Sequence, residues 1–307
     1  GSVTGDGGKH AGKTIKILSN RGSFHGRTTR PAQASDSIAK NLVSLASFRD
    51  RKNLLTTEPN NVADLKKVFE QAKKDNVYIE AMFMEPVMGE GNPGLSISPE
   101  FYKAALDLCH EHDALLIVDS VQAGLRAHGV LSIVDYPGFE KLPAPDIESY
   151  SKAINAGQYP LSVLALTERT AALYKPGVYG NTMTTNPRAL HTAVAVMEQI
   201  TPELSKNIRE RGREMLQKLG GLQQEFPDKI VSVRGTGLLL CAELIDGIPV
   251  TGPGNIEQLI RTKGVNVVHG GKNALRFTPS FKISSQEIDL MIEVVREALR
   301  EFKAKSA

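Results

Sequence analysis

The chain has 307 residues, 41% hydrophobic and 23% charged, with 37 Lys and Arg against 34 Asp and Glu. This is the composition of a soluble globular protein long enough for a large core and two domains, and a formal charge of +3 without a basic run interleaved with aromatics argues against a nucleic-acid partner. No apolar run is long enough to cross a bilayer and no signal peptide opens the chain, whose Gly1-Ser2 start has the look of a cloning remnant.

Strand and helix patterns alternate from the start. An apolar strand is expected at 14–18, then a helix after Asn60-Asn61 with Leu65, Val68, Phe69 and Ala72 along one face. A strand at 78–84 precedes a helix opened by Ser98-Pro99-Glu100, with Phe101, Ala105 and Leu108 on its inner face. Strands follow at 115–118 and 161–166, then helices opened by Asn186-Pro187 and by Thr201-Pro202-Glu203. Asn or Ser/Thr caps with proline at the first helical position mark three of these starts. The Thr201 helix is long and charged, through 203–219, and short strands come next at 230–233, 238–244, 265–268 and 275–277. Ser284-Ser285-Gln286-Glu287 reads as a capping box before a closing amphipathic helix that repeats Ile288, Met291, Ile292, Val295, Leu299 and Phe302. The fold class expected is α/β. A mostly parallel sheet covered by helices forms a large domain over 1–200, and a smaller α+β domain spans 201–307. Cys109 in a helical pattern and Cys241 in a strand pattern read as small buried hydrophobes in a reducing compartment, the cytoplasm or the mitochondrial matrix, and no metal site is expected.

The chemistry is expected where the first-domain strands stop. The run at 78–84 leads into Glu85 and that at 115–118 into Asp119. Ligands of an open parallel sheet occupy the crevice beyond the carboxyl ends of its strands, so two acids there point to a site, although either alone is equally well the polar start of a loop. Lys152 follows in Ser149-Tyr150-Ser151-Lys152-Ala153. Taken alone it is one surface cation among 37 Lys and Arg. Near a buried carboxylate and among small residues, it is arranged for Schiff-base chemistry, in which an amine sheds its proton to approach a carbonyl. Pyridoxal 5'-phosphate accounts for the set economically. It needs a lysine, a carboxylate at its ring nitrogen and a donor near its ring hydroxyl, roles that Lys152, Asp119 and Gln122 fit. Phe24 or Val121 would wall the ring, and the Thr182 region would meet the phosphate. His25 reads as a loop histidine satisfied by backbone, and His110 and His112 as solvated.

Six ordered segments carry a family resemblance. They are Gly22-Ser23-Phe24-His25-Gly26-Arg27-Thr28, Glu85-Pro86-Val87-Met88-Gly89-Glu90-Gly91, Leu116-Ile117-Val118-Asp119-Ser120-Val121-Gln122-Ala123-Gly124, Pro145-Asp146-Ile147-Glu148-Ser149-Tyr150-Ser151-Lys152-Ala153, Gly180-Asn181-Thr182 and Leu275-Arg276-Phe277-Thr278-Pro279. The chain resembles the class III aminotransferases over nearly its whole length. These are pyridoxal-phosphate enzymes of fold type I that include ornithine, acetylornithine and 4-aminobutyrate aminotransferases.

The resemblance implies that Lys152 forms the Schiff base and shuttles a proton, Asp119 pairs with the pyridine nitrogen, Gln122 meets the ring hydroxyl, and Val121 and Phe24 lie on the two ring faces. It also implies that Thr182 reaches the phosphate of a partner subunit's cofactor in a homodimer with shared sites. Arg276 would receive a substrate α-carboxylate, Glu90 would cover Arg276 when an ω-amine is bound, and Arg27 would be a second carboxylate receptor. The expected reaction passes an amino group from an ω-amine or amino acid to a keto acid such as 2-oxoglutarate, with neither nucleic acid nor membrane involved. Two alternatives stand beside it: a truncated, non-catalytic chain of the same fold, and an aminomutase, racemase or decarboxylase of the same family. Three departures bear on these. The segment that precedes Phe-His-Gly-Arg in the family is expected to be missing, Ser120 stands where Glu is usual, and Thr184-Thr185 stand where glycines are common.

Overall fold

The computed structural model describes residues 7–46, 50–177 and 180–302. Its first sheet comprises β1 (Thr14–Asn20), β2 (Leu54–Thr57), β3 (Val77–Met84), β4 (Leu115–Asp119), β5 (Ile147–Tyr150) and β6 (Val163–Leu166), in the order β2-β1-β3-β4-β5-β6. Every pairing is parallel except that of β5 with β6. Parallel neighbours require crossovers, which helices supply. The short helices α1 (Thr29–Ala34) and α2 (Ala39–Leu42) lead from β1 to β2, α3 (Val62–Lys74) from β2 to β3, and α4 (Pro99–Glu111) from β3 to β4. Asn61 and Ser98 cap α3 and α4 by accepting from the N–H groups of Asp64 and Phe101. Leu65 and Phe69 of α3 and Phe101, Tyr102 and Ala105 of α4 bury against Met82, Leu116 and Val118 of the sheet. Beyond β6 lie α5 (Glu168–Ala171) and α6 (Pro187–Met197).

The second sheet is antiparallel and built separately. It takes α7 (Pro202–Glu225), β7 (Ile230–Thr236), β8 (Leu239–Leu244), α8 (Ile256–Thr262), β9 (Val268–Gly270), β10 (Ala274–Phe277) and α9 (Ser285–Glu301), with strand order β7-β8-β10-β9. Its core joins Met215, Leu219 and Leu222 of α7, Leu240 and Leu275 of the sheet, and Ile288, Ile292 and Val295 of α9. The Ser284–Glu287 capping box is formed in both directions. Cys109 and Cys241 are free and buried, and burial raises both thiols, that of Cys241 to about 11.

Four details differ from the sequence expectation. β2 and β5 are strands that periodicity does not announce. Helix α7 runs past residue 219 through Gly220-Gly221 to Glu225, because burial of Leu219 and Leu222 on either side outweighs roughly 1 kcal/mol per helical glycine. The strand expected at 265–268 begins only at Val268, and Phe302 caps α9 instead of continuing it. β6 pairs only with β5 among the described residues and is exposed along its length, with Leu164 at 59%.

Candidate active site

The chain leaves β1 for β2 on one side and returns to β3 on the other, so strand order reverses between β1 and β3. Beyond the carboxyl ends at such a reversal the diverging loops leave a crevice. Four strands deliver side chains there: the loop after β1 brings Phe24 and His25, β3 ends before Glu85, β4 ends on Asp119, and Lys152 follows β5. Asp119 and Ser149 are register partners. One cavity of about 180 Å³ is lined by Phe24, His25, Glu85, Asp119, Val121, Gln122 and Lys152. A second, of about 620 Å³, shares Gln122 and Lys152 and extends over Ala153, Thr278, Ser280 and Phe281.

Asp119 is fixed as an anion. Burial pushes its carboxyl up, but the His25 hydrogen bond and charge, with smaller help from the Val121 N–H and the Ser149 hydroxyl, hold it below the usual carboxylate range. The distances are 2.9 Å from His25 Nδ1 to Oδ2, 3.2 Å from Val121 N to Oδ1 and 3.3 Å from Ser149 Oγ to Oδ1. This corrects the reading of His25 as a backbone-satisfied loop residue. Its partner is a carboxylate 94 positions away, a relation that no local signal announces.

Glu85 shows the opposite behaviour. It is buried, and burial first, then the Asp119 charge, push it up to about 7 in spite of His25. Its two oxygens accept from Phe24 N and Gly89 N, both at 2.9 Å, tying the loop after β1 to the loop after β3. Gly89 lets the Gln122 side chain lie against the loop, since a β-carbon there would displace the Gln122 amide.

Burial lowers the Lys152 amine below its ordinary range and the Arg276 charge adds to this, against the opposing pull of Asp119, Glu85 and Glu90. Lys152 opens the 3₁₀ turn Lys152–Asn155 at φ 47, a left-handed conformation costly for a residue with a β-carbon. Arg276 Nη1 lies 2.9 Å from Glu90 Oε2 and also donates to the Gly89 carbonyl. Phe24, Asp119, Val121, Gln122 and Lys152 therefore come together, with the Arg276–Glu90 pair near enough to act electrostatically on Lys152. Arg27 and Thr182 line neither cavity. Both are exposed, Arg27 lying 5.5 Å from the Phe24 ring centroid. Thr185 adopts φ 58, the conformation that favours glycine. Ser120 Oγ donates to Glu148 Oε1 at 2.5 Å, and Glu148 also accepts from Ser132 Oγ and Ile133 N. A glutamate at 120 would set a second carboxylate against that buried acid.

The residues present fit pyridoxal phosphate. A held anion, a depressed amine, the Gln122 amide and apolar walls from Phe24 and Val121 line one cavity. Among the described residues, no group of three or more His, Cys, Asp and Glu is arranged to hold a metal ion.

Residues 5–299 match the family described as "Aminotransferase class-III". The chain is 30% identical over 290 residues to an acetylornithine aminotransferase of Prochlorococcus marinus, covering 92% of this chain and 66% of that one. It is 31% identical over 288 residues to ornithine aminotransferase 1 of Staphylococcus saprophyticus, covering 92% and 67%. The solved structure of a Bacillus anthracis aminotransferase superposes with a TM-score of 0.79 at 25% identity, covering 94% of this chain and 69% of that chain. The chain thus spans about two thirds of the length of the relatives it matches. It belongs to the class-III aminotransferases, a pyridoxal-phosphate family of fold type I.

Proposed function

We propose that this chain moves an amino group from an amino donor to a keto acid such as 2-oxoglutarate, with pyridoxal phosphate held at Lys152. The observation that carries the reading is the shared cavity of Lys152 and Asp119 beyond β4 and β5. When bound, the cofactor supplies a carbonyl for an amine and a ring that accepts electrons from the bond being broken. The chain's own residues do the rest. Asp119, held as an anion with help from His25, would keep the ring nitrogen protonated. Phe24 and Val121, which line the same cavity, would wall the ring and keep water out, and the Gln122 amide would be the donor for the ring hydroxyl. Lys152 Nζ, depressed by burial, gives up its proton readily and then carries one to and from the substrate carbon.

Arg276 receives the substrate α-carboxylate and Glu90 covers it when an ω-amine enters, a switch supported by their 2.9 Å contact. Arg27 is the second carboxylate receptor of this reading, and Thr182 serves the phosphate in a partner copy. The homodimer is supported by exposed apolar side chains clustered in sequence, Leu164, Leu166, Met183 and Val194 among them. The division into domains at 1–200 and 201–307 is supported by the two separate sheets. A reducing compartment, the cytoplasm or the mitochondrial matrix, is the location that fits two free, buried cysteines.

The test supplies ¹⁵N-labelled ornithine, acetylornithine, 4-aminobutyrate or lysine with 2-oxoglutarate and pyridoxal phosphate, and follows label into glutamate by mass spectrometry. Label should appear with at least one donor and disappear with Lys152→Ala. Transfer that survives this substitution, or no transfer from any donor by a folded, cofactor-loaded chain, overturns the reading.

A further inference from the structure

Away from the two cavities beside Lys152, a further crevice collects basic side chains that no carboxylate among the described residues neutralises. It holds about 270 Å³ where the loop after β4, helix α7 and the β7–β8 turn meet, and His128, Arg209, Arg213 and Thr236 line it. It shares no lining residue with either of the other two. Helix α7 carries five basic side chains, and three are matched by acids: Lys206 by Glu210, Arg211 by Glu214, and Lys218 by Glu214 and Asp289. The two left without a carboxylate among the described residues, Arg209 and Arg213, are the two that face the crevice, one helical turn apart. Arg209 Nη1 donates to the His128 carbonyl at 3.0 Å. The His128 ring meets Tyr136 edge to face, centroids 4.5 Å apart, and no acid lines the crevice among its described residues. Burial and the Arg209 charge hold His128 below the ordinary histidine range, the direction expected where cations crowd together without an anion.

The backbone behind the crevice is closely packed. A β-carbon on Gly212 of α7 would sit 2.4 Å from the Gly237 backbone, and one on Gly237 would sit 1.9 Å from the Ala127 carbonyl oxygen. Three chain segments thus meet backbone to backbone and present the basic groups together. Two guanidinium forks beside an imidazole match the geometry and charge of a phosphate. We propose that His128, Arg209 and Arg213 form an oxyanion site, separate from the cofactor cavity, that takes the phosphate group of a small ligand. Thr236, whose hydroxyl is hydrogen-bonded to Ser96 Oγ, closes one side. A volume of about 270 Å³ lies at the low end for small-molecule sites, which favours a phosphate with few atoms attached over a nucleotide. The site stands independently of the amino-transfer reading.

Histidine NMR reads this site locally. The 307-residue chain, labelled with ¹³C at histidine, is titrated over pH in inorganic phosphate, in glycerol phosphate and in sodium chloride of matched ionic strength, and the His128 signal is assigned by its loss in His128→Gln. At least one of the two phosphates should raise the His128 midpoint by about half a pH unit or more relative to chloride, because an anion beside the ring favours its charged form. Tighter binding of inorganic phosphate names the free ion as occupant, tighter binding of glycerol phosphate names a phosphomonoester, and either result supports the site. Arg213→Ala, at an exposed position where folding should tolerate the change, should raise the phosphate concentration needed by about tenfold, as should Arg209→Gln. His25, on Asp119 in the cofactor cavity, reports phosphate entering there instead. A His128 midpoint that is the same in both phosphates as in chloride, a response confined to His25, or an undiminished His128 response in folded Arg213→Ala would overturn the proposal.

Discussion

Glu85 and Asp119 end neighbouring parallel strands, line the same cavity and differ by one methylene, yet their carboxyls are driven apart. Glu85 accepts only backbone N–H groups and rises to about 7, whereas Asp119 has His25 against one oxygen and falls below the carboxylate range. Burial acts on both in the same direction. The imidazole decides which of them carries charge, and two acids with separated titrations are the usual means of holding two protonation states in one site.

Removing the anion should have the largest effect. Asp119→Ala should lower amino transfer by about 10²- to 10³-fold, the scale of losing a preorganised electrostatic partner, measured as kcat/KM with saturating cofactor. Asp119→Glu should recover part of that loss.

His25→Phe tests the origin of the difference. Without the imidazole, burial governs Asp119 and its carboxyl rises. A group with a depressed folded pKa supplies its contribution at high pH and loses it as pH falls through that pKa, so the acid limb of the kcat/KM profile should move toward neutral pH. At neutral pH a loss of about tenfold is expected. An unmoved acid limb would break the comparison.

Glu85 has the opposite sign. Its folded value of about 7 exceeds its ordinary 4.5, so between these values the unfolded chain has released a proton that the folded chain keeps. Stability therefore falls as pH rises through that window, by up to about 3 kcal/mol. Glu85→Gln should flatten this slope in thermal melts between pH 4.5 and 8, and a slope that persists would reassign it.

Ser284→Ala is the control. Loss of the capping box should lower stability by about 1 kcal/mol at every pH and leave both carboxyls as they are.

Much of the frame was legible because its signals are local. Asn61, Ser98, Asn186, Thr201 and Ser284 each cap a helix within a few residues of their own position. β5 was not, because Glu148 interrupts its apolar pattern and is buried on Ser120, Ser132 and Ile133 N, partners supplied by other segments. The site divides in the same way. Asp119, Gln122 and Lys152 stand in contiguous motifs, whereas His25 gains meaning only from Asp119, 94 positions away.

The most direct test of the central claim is chemical capture. The chain is incubated with pyridoxal phosphate, reduced with borohydride, digested and mapped by mass spectrometry. The account predicts a pyridoxyl label on Lys152 in the wild type and loss of specific label in Lys152→Ala; label spread over surface lysines, or a folded chain that retains none, would contradict it.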